Sequence, residues 1–140
     1  MEDVFPEKLI SIIYRANMSR LEQQLKSYGI GSGQFLFLLG LYCTEGINQD
    51  ELSTFLGFDK ATTARALTKL EKEGFIYRKR DESDRRSKKL YITNKAQSIK
   101  TEIQKLSKEW NEKLFEGFSK EEKDKTNDFL VRMVENINKK

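Results

Sequence analysis

The chain has 140 residues, of which 34% are charged and 37% hydrophobic, and its formal net charge is +4. That length bounds it to one domain, or one domain with helical extensions, and suffices for a real core. With no histidine and one cysteine, Cys43, it lacks imidazole acid–base chemistry, histidine-bearing zinc sites, Ser-His or Cys-His nucleophilic pairs and any intramolecular disulfide.

The opening stretch, MEDVFPEKL, is acidic and lacks the basic-then-apolar layout of a signal peptide. Pro6 stands where a helix can begin, in its first turn. Leu9, Ile10, Ile13, Asn17, Leu21 and Leu25 then trace a helical stripe towards Tyr28. The GIGSG run at 29–33 breaks that helix, and Ser32 is placed to cap the next, Gly33 to about Thr44. This one is apolar on most sides (FLFLLGLY), so it reads as the central buried helix. Its apolar run, Phe35 to Tyr42, falls far short of the ~20 residues needed to cross a bilayer, and no membrane partner is expected. Ile47 is placed to add a single bridge to a later hairpin.

Asn48 followed by Glu51 is a capping-box pattern, and Leu52, Phe55 and Leu56 have the spacing of one buried helical face. Gly57 stops this helix, and Asp59, two residues on, can cap another, so two helices meet through a tight turn. In the second helix, Lys60–Glu73, the residues Ala61, Ala64, Leu67 and Leu70 recur every three positions and are read as its buried stripe. Lys60, Thr62, Thr63, Arg65, Lys69 and Lys72 are then read as facing outward. Taken alone, that face also suits an ordinary solvated helix.

The segment after this helix favours a different reading. Gly74 ends the helix, and residues 75–92 form a hairpin whose apolar ends enclose RKRDESDRRSKK. Residues 78–89 hold seven cations and three acids; residues 60–95 hold twelve against five, net +7, while the other residues are net −3. The excess positive charge is thus a patch, the electrostatic footprint of a phosphate-binding surface. Helix, turn, helix and charged hairpin make a winged helix-turn-helix. Thr93 then caps a long helix carrying Ala96, Ile99, Ile103, Leu106, Trp110 and Leu114, close to a heptad seam. Gly117 breaks it, and Ser119 with Glu122 begins a last helix with Phe129, Leu130, Met133, Val134 and Ile137 on one face.

The run LEKEGFIYRKRDESDRRSKKLYIT resembles the signature of the MarR family of regulators. There a helix ending Leu-Glu-x-x-Gly leads into a strand, an Asp-x-Arg wing and a Leu-Thr-capped helix. Leu70, Glu71 and Gly74 match the helix end, Asp84 and Arg86 the wing, and Ile92 and Thr93 the junction. The family often has glycine shortly after that junction, where this chain has Ala96 and Gln97. The resemblance implies that Arg86 enters a minor groove while Asp84 orients it. A guanidinium is favoured in a narrow, negative groove, and a carboxylate can hold it as a bidentate pair.

The expected fold is mainly α with a small β-wing: an N-terminal dimerisation helix at 1–30, the winged helix-turn-helix at 31–93, and C-terminal dimerisation helices at 94–140. A small domain offers the outer halves of the terminal helices little to cover, so two chains are expected to pair by two-fold symmetry. The partners are double-stranded DNA and a second copy of the chain, and the protein is expected to be a cytoplasmic repressor, not an enzyme, with no cofactor or metal. Lys60, Thr62, Thr63, Arg65 and Lys69 are the recognition-helix candidates, with Arg78, Arg80, Asp84, Arg85, Arg86 and Lys88 in the wing. The resemblance also brings a small aromatic or anionic effector, for which Tyr14, Arg15, Phe35 and Tyr42, with Phe37 and Trp110, are candidates; aromatics at helical spacing are more often core. Cys43 is expected to be buried and structural. The alternative function is a protein-interaction module that reuses the fold as an anti-regulator, which has no need of the +7 patch.

Overall fold

The computed structural model describes residues 4–84 and 86–139. The chain forms α1 (Pro6–Leu25), a short 3₁₀ turn (Lys26–Tyr28), α2 (Ser32–Thr44), α3 (Gln49–Leu56), α4 (Lys60–Lys72), β1 (Ile76–Arg80), β2 (Lys88–Ile92), α5 (Asn94–Ser98), α6 (Lys100–Leu114) and α7 (Lys120–Asn138). These divide into two compact units, 1–104 and 105–140. The fold is mainly helical with one two-stranded antiparallel wing, as the sequence predicts.

The first unit is built around α2. A helix apolar on most sides must be surrounded, and α1, α3, α4 and β2 all pack against this one. Phe37, Leu38 and Leu41 are sealed from solvent with Leu52 of α3, Leu67 and Leu70 of α4, and Leu90 of β2. Gly40 lets α3 approach closely: a Cβ there would lie 3.2 Å from both Leu56 methyl carbons. The helix begins one residue earlier than predicted. Gly31 occupies the cap position with no side-chain bond, and Ser32 is already helical.

Local capping sets the next boundaries. The Asn48 side chain accepts from the Glu51 amide at 2.8 Å while Glu51 accepts from the Asn48 amide, completing the box. Gly57 ends α3 in the left-handed conformation (φ 75°), which only glycine adopts without strain. The predicted buried face of α3 needs correction. Leu52 and Ser53 are its buried residues, whereas Phe55 is 58% exposed. The apolar spacing marks a helix correctly, but α2 touches only one edge of that stripe.

A similar correction applies to α4. Its buried residues are Thr63, Ala66, Leu67 and Leu70, with Ala61 exposed and Ala64 half-buried. Steps of three fall behind the 3.6-residue turn by about 60° each and spiral off a face; steps of three and four stay on it.

The wing is tied back on one edge by backbone. Leu90 donates to the Ile47 carbonyl and accepts from the Gly46 amide, both at 2.8 Å, and the bridge falls at Asn48–Lys89, one residue beyond Ile47. After the wing, the Thr93 hydroxyl caps α5 as predicted and also donates to the Gly74 carbonyl at 2.6 Å. The long helix predicted there is interrupted at Ile99 (φ −108°, ψ 5°). The Ala96 carbonyl, which would accept from the Lys100 amide in an unbroken helix, accepts instead from the buried Tyr42 hydroxyl at 2.6 Å and from the Ile99 amide at 3.3 Å. Cys43 is exposed rather than buried.

In the second unit, the Ser119–Glu122 capping box starts α7, and Phe115 meets Phe118 edge-to-face with ring centroids 5.4 Å apart. No helix among the described residues is long and apolar enough to cross a membrane.

Leu67→Ala should destabilise the protein by about 2–5 kcal/mol through a cavity beneath α4. Urea unfolding followed by far-UV circular dichroism checks this; a loss of no more than about 0.5 kcal/mol, the ordinary scatter of surface substitutions, would place the core elsewhere.

Candidate nucleic-acid interface

The outer face of α4 is organised from its cap. The Asp59 carboxylate accepts from the Thr62 amide at 2.7 Å and from the Thr62 hydroxyl at 2.8 Å. Those bonds hold its pKa below the ordinary carboxylate value, the Thr62 amide contributing most, with the Arg65 charge a smaller cause. Thr62 Oγ1 in turn accepts from the Arg65 guanidinium at 3.3 Å. Asp59, Thr62 and Arg65 thus form a short chain that gives a long side chain a defined start. Lys60 lies 3.8 Å from Asp50 of α3 across the turn, both well exposed. Lys69 and Lys72 continue the outward face.

Thr63 does not belong to that face. It is fully buried, and its hydroxyl donates to the Asp59 carbonyl at 2.9 Å. The stripe drawn in steps of three misplaces it: Thr63 begins the i, i+3, i+4, i+7 row that packs on the core. Thr68, which the charge pattern does not single out, is exposed and lines an open surface with Arg65, Lys69 and Lys72; helical spacing from Arg65 is the signal that finds it.

The wing register pairs Ile76 with Ile92 and runs outward through Tyr77–Tyr91, Arg78–Leu90 and Lys79–Lys89 to Arg80–Lys88. Alternation puts Arg78, Arg80 and Lys88 on the face that buries Ile76, Leu90 and Ile92, while Tyr77, Lys79, Lys89 and Tyr91 share the other. The two tyrosine rings stack there at 5.5 Å. At the distal end, two successive cross-strand pairs are lysine or arginine opposite lysine or arginine. Like charges directly opposite destabilise a hairpin unless counter-charge arrives from outside.

The acids of the wing loop are used internally. Asp81 accepts from the Ser83 hydroxyl at 2.7 Å and the Ser83 amide at 2.9 Å, bonds that lower its pKa, with the Lys89 charge a lesser cause. Asp84 accepts from the backbone amide of Arg86 at 3.0 Å. The implied guanidinium pair is therefore corrected: the carboxylate fixes the Arg86 backbone, not its side chain, which is exposed. Arg85, the remaining wing candidate, lies outside the described residues. Between this loop and the start of α3 runs an open cleft of about 470 Å³, lined by Asn48, Gln49, Asp50, Arg78, Asp84, Arg86, Ser87 and Lys88.

Arg78 departs from the reading as a phosphate contact. Its guanidinium donates to Gln49 at 2.9 Å and lies 3.5 Å from Glu71, and its side chain is only 21% exposed. Gln49 and Glu71 thereby join the site; Glu71 stands out in the sequence only as part of the helix-end motif and Gln49 not at all, because these partners of Arg78 are 7 and 29 residues away.

The effector candidates of the first unit are not brought together. Phe35 and Tyr42 are core residues, and burial, then the Glu102 charge, pushes the Tyr42 phenol up to about 12. Phe37 is also sealed in the core and packs on Phe58. Tyr14 and Arg15 are exposed on α1, Arg15 bonded to Ser11 within its own helix. Trp110 belongs to the second unit.

Thr63→Val should cost about 1–2 kcal/mol in urea unfolding, the penalty for a lost buried hydroxyl bond; a shift in DNA sequence preference without that cost would return Thr63 to the outer face. The Asp59 cap contributes stability above the unfolded carboxylate range and loses it as pH falls through the lower folded value, so its window opens below about pH 4. Asp59→Asn keeps an acceptor that does not titrate. Its helicity, followed by circular dichroism from pH 6 to 2, about the span over which carboxylates titrate, should fall less steeply than wild type; superimposable curves would contradict the cap's role.

Comparison with known proteins agrees with this architecture. The sequence profile of the MarR family matches residues 30–88. The chain is 34% identical over 137 residues to the uncharacterized HTH-type transcriptional regulator YybA of Bacillus subtilis, covering 98% of this chain and 90% of the relative. It is similar to a MarR transcriptional regulator from Methanosarcina mazei Go1 (43% identity, TM-score 0.81, 93% and 94% of the two chains covered). It is also similar to a MarR-family regulator from Listeria monocytogenes complexed with 26mer DNA (31% identity, TM-score 0.88, 98% and 90% covered). With the winged helix-turn-helix, the cationic face and these relatives in agreement, the chain belongs to the MarR family of transcriptional regulators.

Proposed function

We propose that the protein is a sequence-specific, double-stranded-DNA-binding repressor that acts as a homodimer. The observation that carries this reading is the distal wing, where Lys79–Lys89 and Arg80–Lys88 set four cations against one another in pairs. A hairpin that holds its positive charges together while its acids stabilise its own turn is built for a polyanion. The Listeria monocytogenes relative was solved with DNA bound.

In this reading α4 enters a major groove and the wing the neighbouring minor groove. Thr62 and Arg65 read bases, and Lys60, Lys69, Arg80 and Lys88 contact phosphates. Arg86, on a backbone held by Asp84, is the minor-groove contact. Pairing of two chains is supported by apolar side chains that one chain leaves in solvent. Phe5, Leu9, Ile10 and Ile13 of the first helical segment are 42–53% exposed, and Phe129, Leu130, Met133, Val134 and Ile137 of α7 are 47–80% exposed. A two-fold dimer requires a pseudo-palindromic operator with half-sites about 10 base pairs apart.

The test is a fluorescence-anisotropy titration against duplex from the region upstream of the protein's own gene, with a random duplex beside it, at two salt concentrations. Wild type should bind the first tightly and salt-sensitively. Lys69→Ala should weaken both duplexes and lower the salt slope by about 1, whereas Arg65→Ala should cost about 1–3 kcal/mol on the upstream duplex alone. Failure to bind any duplex at low salt would refute the proposal.

A further inference from the structure

We propose that Arg78 is a positioning residue: it ties the wing to both helices of the helix-turn-helix and so sets where Arg86 stands relative to α4. The inference rests on the DNA-binding reading and deepens it, since Arg78 then acts on DNA through Arg86 and not through a phosphate of its own.

The geometry is that of a strap. One nitrogen of the guanidinium, Nη1, donates to Gln49 Oε1 in the first turn of α3 at 2.9 Å. Another, Nε, lies 3.5 Å from Glu71 Oε1 in the last turn of α4. A single side chain on β1 therefore touches both helices at once. The two edges of the hairpin differ in how they are held. On its far side β2 is bonded by backbone to the segment Gly46–Asn48, and the Ile92 amide donates to Glu45 at 3.1 Å. The sheet order is β1-β2, so β1 is an edge strand with no further strand beside it among the described residues. A two-stranded ribbon is marginal by itself, and the part of β1 beyond the buried Ile76 has Arg78 as its side-chain tie to the helices.

The side chain chosen fits that task. A planar guanidinium offers several fixed donors and can serve two acceptors in different directions, whereas an ammonium of similar reach is a point charge on a flexible stem. Glu71 is 44% exposed, so the pair adds little to global stability; its effect is on geometry. It also places a carboxylate against a cation beside the polyanion-binding face, a cost to simple electrostatic attraction that positioning explains.

Two readouts test this, on the intact protein and the variants Glu71→Gln and Arg78→Lys. The first needs no DNA: hydrogen exchange of wing amides at 78–80 and 88–90 should be about two- to fivefold faster in both variants, the reach of one part-exposed ion pair, with α2 unchanged. Unaltered wing exchange in both would overturn the tie. The second is a double-mutant cycle on a duplex that wild type binds. Glu71→Gln, although it removes a negative charge, should weaken binding and shrink the penalty of Arg86→Ala by about threefold or more. If Glu71→Gln instead tightens binding on every duplex and leaves the Arg86→Ala penalty intact, Arg78 is a phosphate ligand and the proposal fails. If wild type binds no duplex at low salt, the DNA reading fails, while the exchange result still decides whether Arg78 holds the wing.

Discussion

A helix with apolar side chains around most of its circumference cannot lie on a surface, and α2 imposes that constraint on the first unit. Its neighbours α1, α3, α4 and β2 each give it one face and leave the opposite face to water. For α4 and the wing, what is left outside is cationic. Helix α4 and the wing are thus positioned by what they hide: Leu67 and Leu70 orient α4, and Leu90 and Ile92 orient β2, whatever charged groups they carry outside.

Acidic residues in this region serve geometry more than neutralisation. Asp59 caps α4 and begins the chain through Thr62 to Arg65. Asp81 and Asp84 hold the wing turn through a serine and a backbone amide. Glu51 closes the box on α3, and Glu71 takes one side of Arg78. Each of these carboxylates is held in a bond that fixes backbone or orients a cation, so Arg65, Arg78 and the backbone of Arg86 stand in defined places. Preorganising them in the free protein removes part of the ordering cost that binding would otherwise carry.

The same economy explains why apolar surface is left over. The first helix sinks only Leu21 and Leu25 into the core, and no described residue of α7 is buried on a single chain. Long amphipathic helices with half-exposed isoleucine, phenylalanine and valine are costly in water, and a second apolar face is what relieves that cost.

Sequence alone determined the features that depend on neighbours three or four residues apart. The capping boxes at Asn48–Glu51 and Ser119–Glu122, the caps at Asp59 and Thr93, and the stop at Gly57 are local bonds or local backbone preferences, legible without a fold. The basic patch was legible too, because charge adds up along a chain whatever its packing. Tertiary structure decided which side of each helix is inside, and hence that Thr63, Phe35 and Tyr42 are core while Tyr14, Phe55 and Cys43 are exposed. It alone revealed that Arg78 bridges two helices, that Asp84 holds a backbone amide, and that Tyr42 takes the carbonyl where the long helix breaks. The physical reason is that capping is satisfied within one turn, whereas burial and long-range hydrogen bonds are set by neighbours that only the folded chain brings near.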